Sequence, residues 1–288
     1  VGRPEVLAMR IERYGLRLRL GEDVEVTNPE QDERFHRYWN EYWEKLCRQG
    51  VTKEVARTEM RRRMTLIGAM MVHLGEADGM VCGTVGRFAE HLRFVDQVIG
   101  RKENARTYAA MNVLLLPERT VAVVDTHVNE DPSAEQIAEF TVAAAEEMRR
   151  LNLEPKAALL SRSNFGSERC AASEKMRQAL ALIREAAPEL EVDGEMHGDA
   201  ALEESIRQGI LPDSTLKGSA NLLVCPNGDS GNIAYNLLKT AAGSNVAVGP
   251  FLLGVNAPVT ILTSSATVRR IVNMAALTVL RANLEGKG

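Results

Sequence analysis

Between an apolar run ending at Leu160 and a helix-like segment lies Ser161-Arg162-Ser163-Asn164-Phe165-Gly166-Ser167. Small hydroxyl and glycine residues in such a connection let backbone N–H groups converge on an anion near the following helix start, and they serve equally well simply to turn the chain. A second stretch, Asp193-Gly194-Glu195-Met196-His197-Gly198-Asp199, alternates carboxylates with a histidine. In an extended segment that alternation puts them on one side, as a hard-metal or acid–base cluster requires. Its spacing matches no dedicated metal motif, and the plainer reading is a loop with a helix cap at Asp199 and solvent-facing charge. His36, His73, His91 and His127 form no constellation and read as surface or packed residues.

A third pattern runs through Lys217-Gly218-Ser219-Ala220-Asn221, Cys225-Pro226-Asn227, Ser230-Gly231-Asn232-Ile233-Ala234-Tyr235 and Val248-Gly249-Pro250. With Glu76-Ala77-Asp78-Gly79 and Val192-Asp193-Gly194-Glu195, these motifs resemble, in order and over nearly the whole chain, the phosphate acetyltransferase (phosphotransacetylase) family. The resemblance implies a two-domain α/β architecture of the isocitrate/isopropylmalate dehydrogenase type with an interdomain cleft, and usually a homodimer. It implies acetyl transfer between CoA sulfur and phosphate, with arginines to hold phosphate and a carboxylate to deprotonate the thiol. Arg93 matches one cleft arginine of the family; Ser163, Gly166 and Ser167 match its Ser/Gly loop, with Asn164 inside it.

The departures concern the chemistry. Where active members carry a Pro-Val-Asn-Asp-Leu-Ser-Arg-Gly-Cys type segment, this chain reads Pro258-Val259-Thr260-Ile261-Leu262-Thr263-Ser264-Ser265-Ala266. By that resemblance Thr263 replaces the catalytic serine, Ser264 replaces its neighbouring arginine, and Arg270 stands in place of the carboxylate base. Arg270 cannot accept a proton near neutral pH, and loss of a general base costs about two to four decades in rate. Ser219 replaces a common Lys or Arg, and Asn227 a usual Asp. CoA-side arginines are replaced around Leu46, with Arg48 nearby, and at Thr240, beside Lys239.

This combination resembles one branch of the family, the phosphotransacetylase-like C-terminal region of hybrid bacterial NADP-dependent malic enzymes. It implies a regulatory domain that binds acetyl-CoA as an allosteric inhibitor, mediates oligomerisation as a homodimer or higher homo-oligomer, and has no catalytic residues of its own. An active phosphate acetyltransferase using Thr263 and Arg93, and an oligomerisation scaffold with a vestigial cleft, are the alternatives. The cleft is expected around Arg93, Ser163, Asn164, Gly166, Ser167, Lys217, Ser219, Asn232, Lys239, Asn256, Thr263, Ser264 and Arg270. No metal and no cofactor are expected in this region. NADP and a divalent metal would belong to a preceding malic-enzyme region, and no Gly-x-Gly-x-x-Gly fingerprint occurs here. A helix and a strand normally precede the position of Val1, so the chain reads as a truncated piece. A surface ion pair is the plain alternative for Arg270.

The elements that must position these residues follow from periodicity. Short apolar runs at 79–83, 113–116, 120–124, 156–160, 222–225 and 258–262 alternate with amphipathic segments, which predicts an α/β fold with a largely parallel sheet. Ser133 with Gln136 predicts a capping box on a helix to Arg150, and Ser173 is expected to open another ending before Pro188. Phe35, Trp39, Tyr42 and Leu46 share one helical face that reads as a packing surface, and Arg61-Arg62-Arg63 a solvated patch on one helix from Thr52 to Leu74. The expected subdomains are 1–104 with 255–288, and 105–254.

With 35 basic and 39 acidic residues among 288, the net charge of −4 offers no footprint for nucleic acid. Four scattered cysteines suggest neither a disulfide framework nor a zinc ribbon, and a cytoplasmic location is expected. Residues 240–268 carry no charge, but Gly243, Gly249, Pro250, Gly254 and Pro258 break the run, so buried strands and cleft loops are expected rather than a membrane span.

Overall fold

The computed structural model describes residues 1–243 and 247–285, so 244–246, within the charge-free run, lie outside the described residues. In chain order the elements are α1 (Pro4–Arg13), α2 (Phe35–Leu46), α3 (Lys53–Arg62), α4 (Met64–His73), β1 (Met80–Gly83), α5 (Phe88–Val98), β2 (Ala109–Leu115), β3 (Thr120–Val124), α6 (Ala134–Arg150), β4 (Lys156–Leu160) and α7 (Ala171–Ala186). There follow β5 (Glu191–Met196), α8 (Gly198–Leu202), α9 (Glu204–Ile210), β6 (Leu222–Val224), α10 (Gly228–Ala241), β7 (Ala247–Leu253), β8 (Val259–Leu262) and α11 (Val268–Glu285). Among the described residues no helix is long and apolar enough to cross a membrane.

Two sheets organise the chain. β1 and β8 pair in parallel, Met80 opposite Val259 through Gly83 opposite Leu262, over an aromatic cluster. Tyr38, Trp39, Tyr42 and Leu46 of α2 are buried in that cluster, while Phe35 is only partly covered. The second sheet has the order β5-β4-β6-β3-β2-β7. Its β4, β5, β6 and β3 are mutually parallel, whereas β2 runs antiparallel to both β3 and β7. The expectation of a largely parallel sheet meets this exception because only 116–119 join β2 to β3. That is room for a hairpin, and a parallel pair needs a long crossover.

Other expectations change in detail. The helix foreseen from Thr52 to Leu74 breaks at Arg63, whose backbone is extended at φ −116°, ψ 93°. α3 buries one face (Ala56, Met60) while α4 is buried nearly all round, and the break lets α4 sink into the core while Arg61, Arg62 and Arg63 stay exposed. α7 begins at Ala171 with Cys170 as its N-cap; Ser173 is the third residue of that capping box rather than the opening residue. α6 has the foreseen box, Ser133 Oγ accepting from Gln136 N and Gln136 returning to Ser133 N. The stretch read as a loop at 193–196 lies in strand β5, and His197 rather than Asp199 holds the N-cap position of α8, without a side-chain capping bond. Asp193 and Glu195 are buried rather than solvent-facing, while Asp199 is exposed. Helix α11 packs Met274 and Leu277 against the larger sheet's core and Thr278 Oγ1 on Thr260 Oγ1 of β8 at 2.8 Å, so it bridges the two sheets.

Candidate functional site

The carboxyl ends of β3, β4, β5 and β6 share one edge of the larger sheet, where open α/β folds place their clefts. At the end of β3, Asp125 staples the outgoing chain. One carboxylate oxygen accepts from Ala110 N, His127 N and Val128 N, and the other from Asn129 N and Nδ2. α10 then closes on this staple. A Cβ on Gly231 would stand 2.0 Å from Asp125 O, so only glycine allows the approach. Asn227 caps α10 by accepting from Ser230 N, a role Asn and Asp fill alike, and Asn232 Nδ2 donates to Thr126 O at 3.1 Å.

His127 lies between Phe88 of α5 (ring centroids 5.3 Å apart) and Tyr235 of α10 (6.1 Å). Its Nδ1 is 2.7 Å from Thr126 Oγ1. Burial pushes the imidazole below its usual range; Asp125 pulls it up, and Lys239 and Arg270 push it further down. Lys239 sits 4.8 Å from the Tyr235 ring centroid and is lowered by burial and by Arg270. Burial raises the Tyr235 hydroxyl, and the adjacent Arg270 guanidinium opposes that. Arg270 itself is only 6% exposed, and among the described residues its Nε has no hydrogen-bond partner. A surface ion pair is therefore not what this arginine makes. Two cations and an imidazole converge where the one nearby carboxylate, Asp125, is already saturated by five N–H contacts, and that arrangement can hold an anion.

The other foreseen residues divide. Asn232, Lys239 and Arg270 belong to this cluster. Thr263 and Ser264 follow β8 just before α11, with Thr263 Oγ1 3.2 Å from Ser265 Oγ and Ser264 exposed. Asn256 is exposed where the two sheets join, its N–H donating to Gly100 O. The serine loop lies at the same sheet edge but is wired inward. Ser163 Oγ donates to Glu195 Oε1 at 2.6 Å, Gly166 N donates to the same oxygen, and Arg177 pairs with it at 2.9 Å. Every backbone N–H from Ser163 to Glu168 has a protein acceptor: Ser161 Oγ, Ser167 Oγ, Glu195 O, Glu195 Oε1, Asn164 O and Ser163 Oγ in turn. The convergence on an anion expected of Asn164, Gly166 and Ser167 is thus not what their N–H groups do here.

Lys217 and Ser219 sit at the opposite edge of the sheet. Lys217 O accepts from Lys156 Nζ and Lys217 N donates to Glu191, both at the starts of their strands. Arg93 is half-exposed on α5, 3.7 Å from Glu59 and stacked on Phe94. Leu46 is buried among aromatics. Sequence reasoning passed over His127 and gave Tyr235 no role; the available signal was the position of Asp125-Thr126-His127 directly after a strand. Among the described residues no group of three or more His, Cys, Asp or Glu is placed to hold a metal ion.

The family described as Phosphate acetyl/butaryl transferase matches residues 1–279. An NADP-dependent malic enzyme of Escherichia coli (strain K12) is 53% identical over 285 residues, which cover 99% of this chain and 38% of that protein. A phosphate acetyltransferase of Corynebacterium glutamicum is 34% identical over 98% of the chain and 84% of its own length. The crystal structure of a phosphotransacetylase from Streptococcus pyogenes superposes with a TM-score of 0.85 at 30% identity, covering 98% of this chain and 84% of that one. The chain thus spans under two-fifths of the length of the malic-enzyme relatives it matches.

Proposed function

Because the chain belongs to the phosphate acetyl/butaryl transferase family, we propose that it is the ligand-sensing part of a malic enzyme, binding acetyl-CoA in the cleft at His127, Lys239 and Arg270 without transferring the acetyl group. The observation that carries this reading is Arg270: a buried guanidinium with an unpartnered Nε, beside Lys239, at the position where the resemblance puts a carboxylate base. Such a pair favours an anionic ligand and cannot take a proton from a thiol. Bound acetyl-CoA would lower the decarboxylation of malate to pyruvate in the attached region, and a differential affinity worth about 1–3 kcal/mol is enough for that control. NADP and a divalent metal would bind in that region. The protein works in the cytoplasm with neither nucleic acid nor membrane as partner.

A homodimer or higher homo-oligomer is part of the same reading. The outer face of α11 leaves Val268, Val272 and Val279 exposed, and Ile233 and Leu237 of α10 are exposed as well. Apolar side chains gathered on an exposed helix face are a surface on which a second copy can pack. A second reading, an active phosphate acetyltransferase, draws on the likeness to the Corynebacterium enzyme over 84% of that protein.

Calorimetric titration with acetyl-CoA in phosphate buffer tests both. A saturating isotherm without continuing heat is expected. Sustained heat with formation of acetyl phosphate would establish the transferase instead, and the absence of any binding heat from the folded chain would leave a scaffold.

A further inference from the structure

His127 is held by three neighbours. Phe88 and Tyr235 flank its ring at 5.3 and 6.1 Å, and Thr126 Oγ1 meets Nδ1 at 2.7 Å. Nε2 has no hydrogen bond among the described residues. The Thr126 hydroxyl has a second acceptor, Ala110 O at 3.0 Å, and it also accepts from Asn112 Nδ2 at 2.8 Å. When Nδ1 bears a proton, the Thr126 hydroxyl can therefore turn to Ala110 O, and no two donors clash. The imidazolium is accommodated with Nε2–H as its free donor. The charged groups around it are Asp125 on its own loop, Lys239 on α10 and Arg270 on α11, with the Tyr235 hydroxyl also on α10; α5 contributes only the uncharged Phe88. Asp125, held by backbone and Asn129 donors, favours the charged ring, and the two cations oppose it.

We propose that His127 is a proton-dependent ligand contact: on protonation its Nε2–H joins Lys239 and Arg270 around one anionic group of phosphate or sulfate type, so that anion binding takes up a proton. The inference rests on the reading of this cleft as the acetyl-CoA site and names how that site responds to pH. Burial and the two cations lower the imidazole's affinity for a proton. An anion between the cations cancels their repulsion, and the imidazole can then charge.

The chain has five histidines, so ¹³Cε1-histidine labelling gives a spectrum in which His127→Gln identifies the resonance. Its titration midpoint is followed in the free chain, with saturating acetyl-CoA, and with inorganic sulfate, which does not itself titrate near neutrality. The midpoint is expected to rise by one pH unit or more in the complexes, and sulfate to bind at least about threefold more tightly at pH 6 than at pH 8. Binding with an unchanged midpoint would overturn the role of His127 and leave the cleft reading intact. If neither ligand binds to the folded chain, the cleft reading falls and this inference with it.

Discussion

Two polar regions share the carboxyl edge of the larger sheet, and their hydrogen bonds go to different places. In the serine loop, Glu195 gathers Ser163 Oγ, Gly166 N and the Arg177 guanidinium, and each loop N–H ends on protein. Around His127, where α5 and α10 flank its ring, Arg270 Nε of α11 is buried without a partner, and burial and the Arg270 charge lower Lys239. The loop has the residue types of an anion site but has consumed its donors in holding its own shape. The cleft has fewer recognisable residues and leaves donors unspent, so ligand affinity should reside there.

The sharpest test removes the loop's anchor. Glu195→Leu strands three donors around a buried site and should cost about 3–5 kcal/mol of stability, read from the urea midpoint. Acetyl-CoA affinity, measured on the folded fraction, should stay within about twofold of the parent. A tenfold loss of affinity in a folded variant would put the loop in the binding site and break the comparison.

The converse substitution is Arg270→Met. It should weaken acetyl-CoA binding by about 30-fold, or about 2 kcal/mol, by removing the buried charge that meets the ligand. Stability should hold or rise, because an unpaired buried cation is costly to the free protein. Arg270→Lys should retain part of the affinity. Equal losses of stability and binding would instead make Arg270 a structural residue.

How much of this was legible in advance depends on how far apart the interacting residues lie in sequence. The fold class, β3, β4 and the capped start of α6 follow from local alternation and from Ser133 with Gln136. Strand β5 escaped because Asp193 and Glu195 look solvent-bound. Their burial depends on Ser214, Thr215 and Arg184 for one and on Ser163, Gly166 and Arg177 for the other, partners 9 to 32 positions away. His127 escaped for the same reason: Phe88, Tyr235, Lys239 and Arg270 reach it from distant segments. Lys217 and Ser219 read as cleft residues through the resemblance of 217–221 to a family motif that is followed in sequence by Asn227. Strand β6 runs between them and carries the two groups to opposite edges of the sheet.

A smaller effect separates the regions by pH. In the free chain the folded imidazole of His127 lies below its usual value of 6.5, so just below pH 6.5 the unfolded chain binds more protons than the folded one. Stability contributed by the neutral ring is present above pH 6.5 and is lost as pH falls through the folded value. His73, lowered mainly by burial, acts in the same direction. His127→Gln should flatten the acid limb of the stability curve by no more than about 1.4 kcal/mol per pH unit, the limit for one proton. Saturating acetyl-CoA should diminish the difference between the parent and the variant in that limb. An unaltered acid limb in the variant would mean that the ring charges as readily inside the cleft as in the unfolded chain.

The least effect is expected from Ser167→Ala, and it is informative because Ser167 is the loop residue that looks most available to a ligand. It is exposed, yet its hydroxyl accepts from Asn164 N at 2.9 Å while its own N–H returns to Asn164 O. Removing the hydroxyl leaves the Asn164 N–H near solvent, which can replace the lost partner, so the cost should be only about 0.5–1 kcal/mol in the urea midpoint. Asn164 Oδ1 still accepts from His197 N, so the loop keeps its tie to the start of α8. With the loop's shape retained and its hydroxyl gone, acetyl-CoA affinity should not change. A fall of fivefold or more would show that a ligand oxygen displaces Asn164 N from the serine hydroxyl, and the loop would then count among the regions whose donors are exchanged on binding rather than spent in folding.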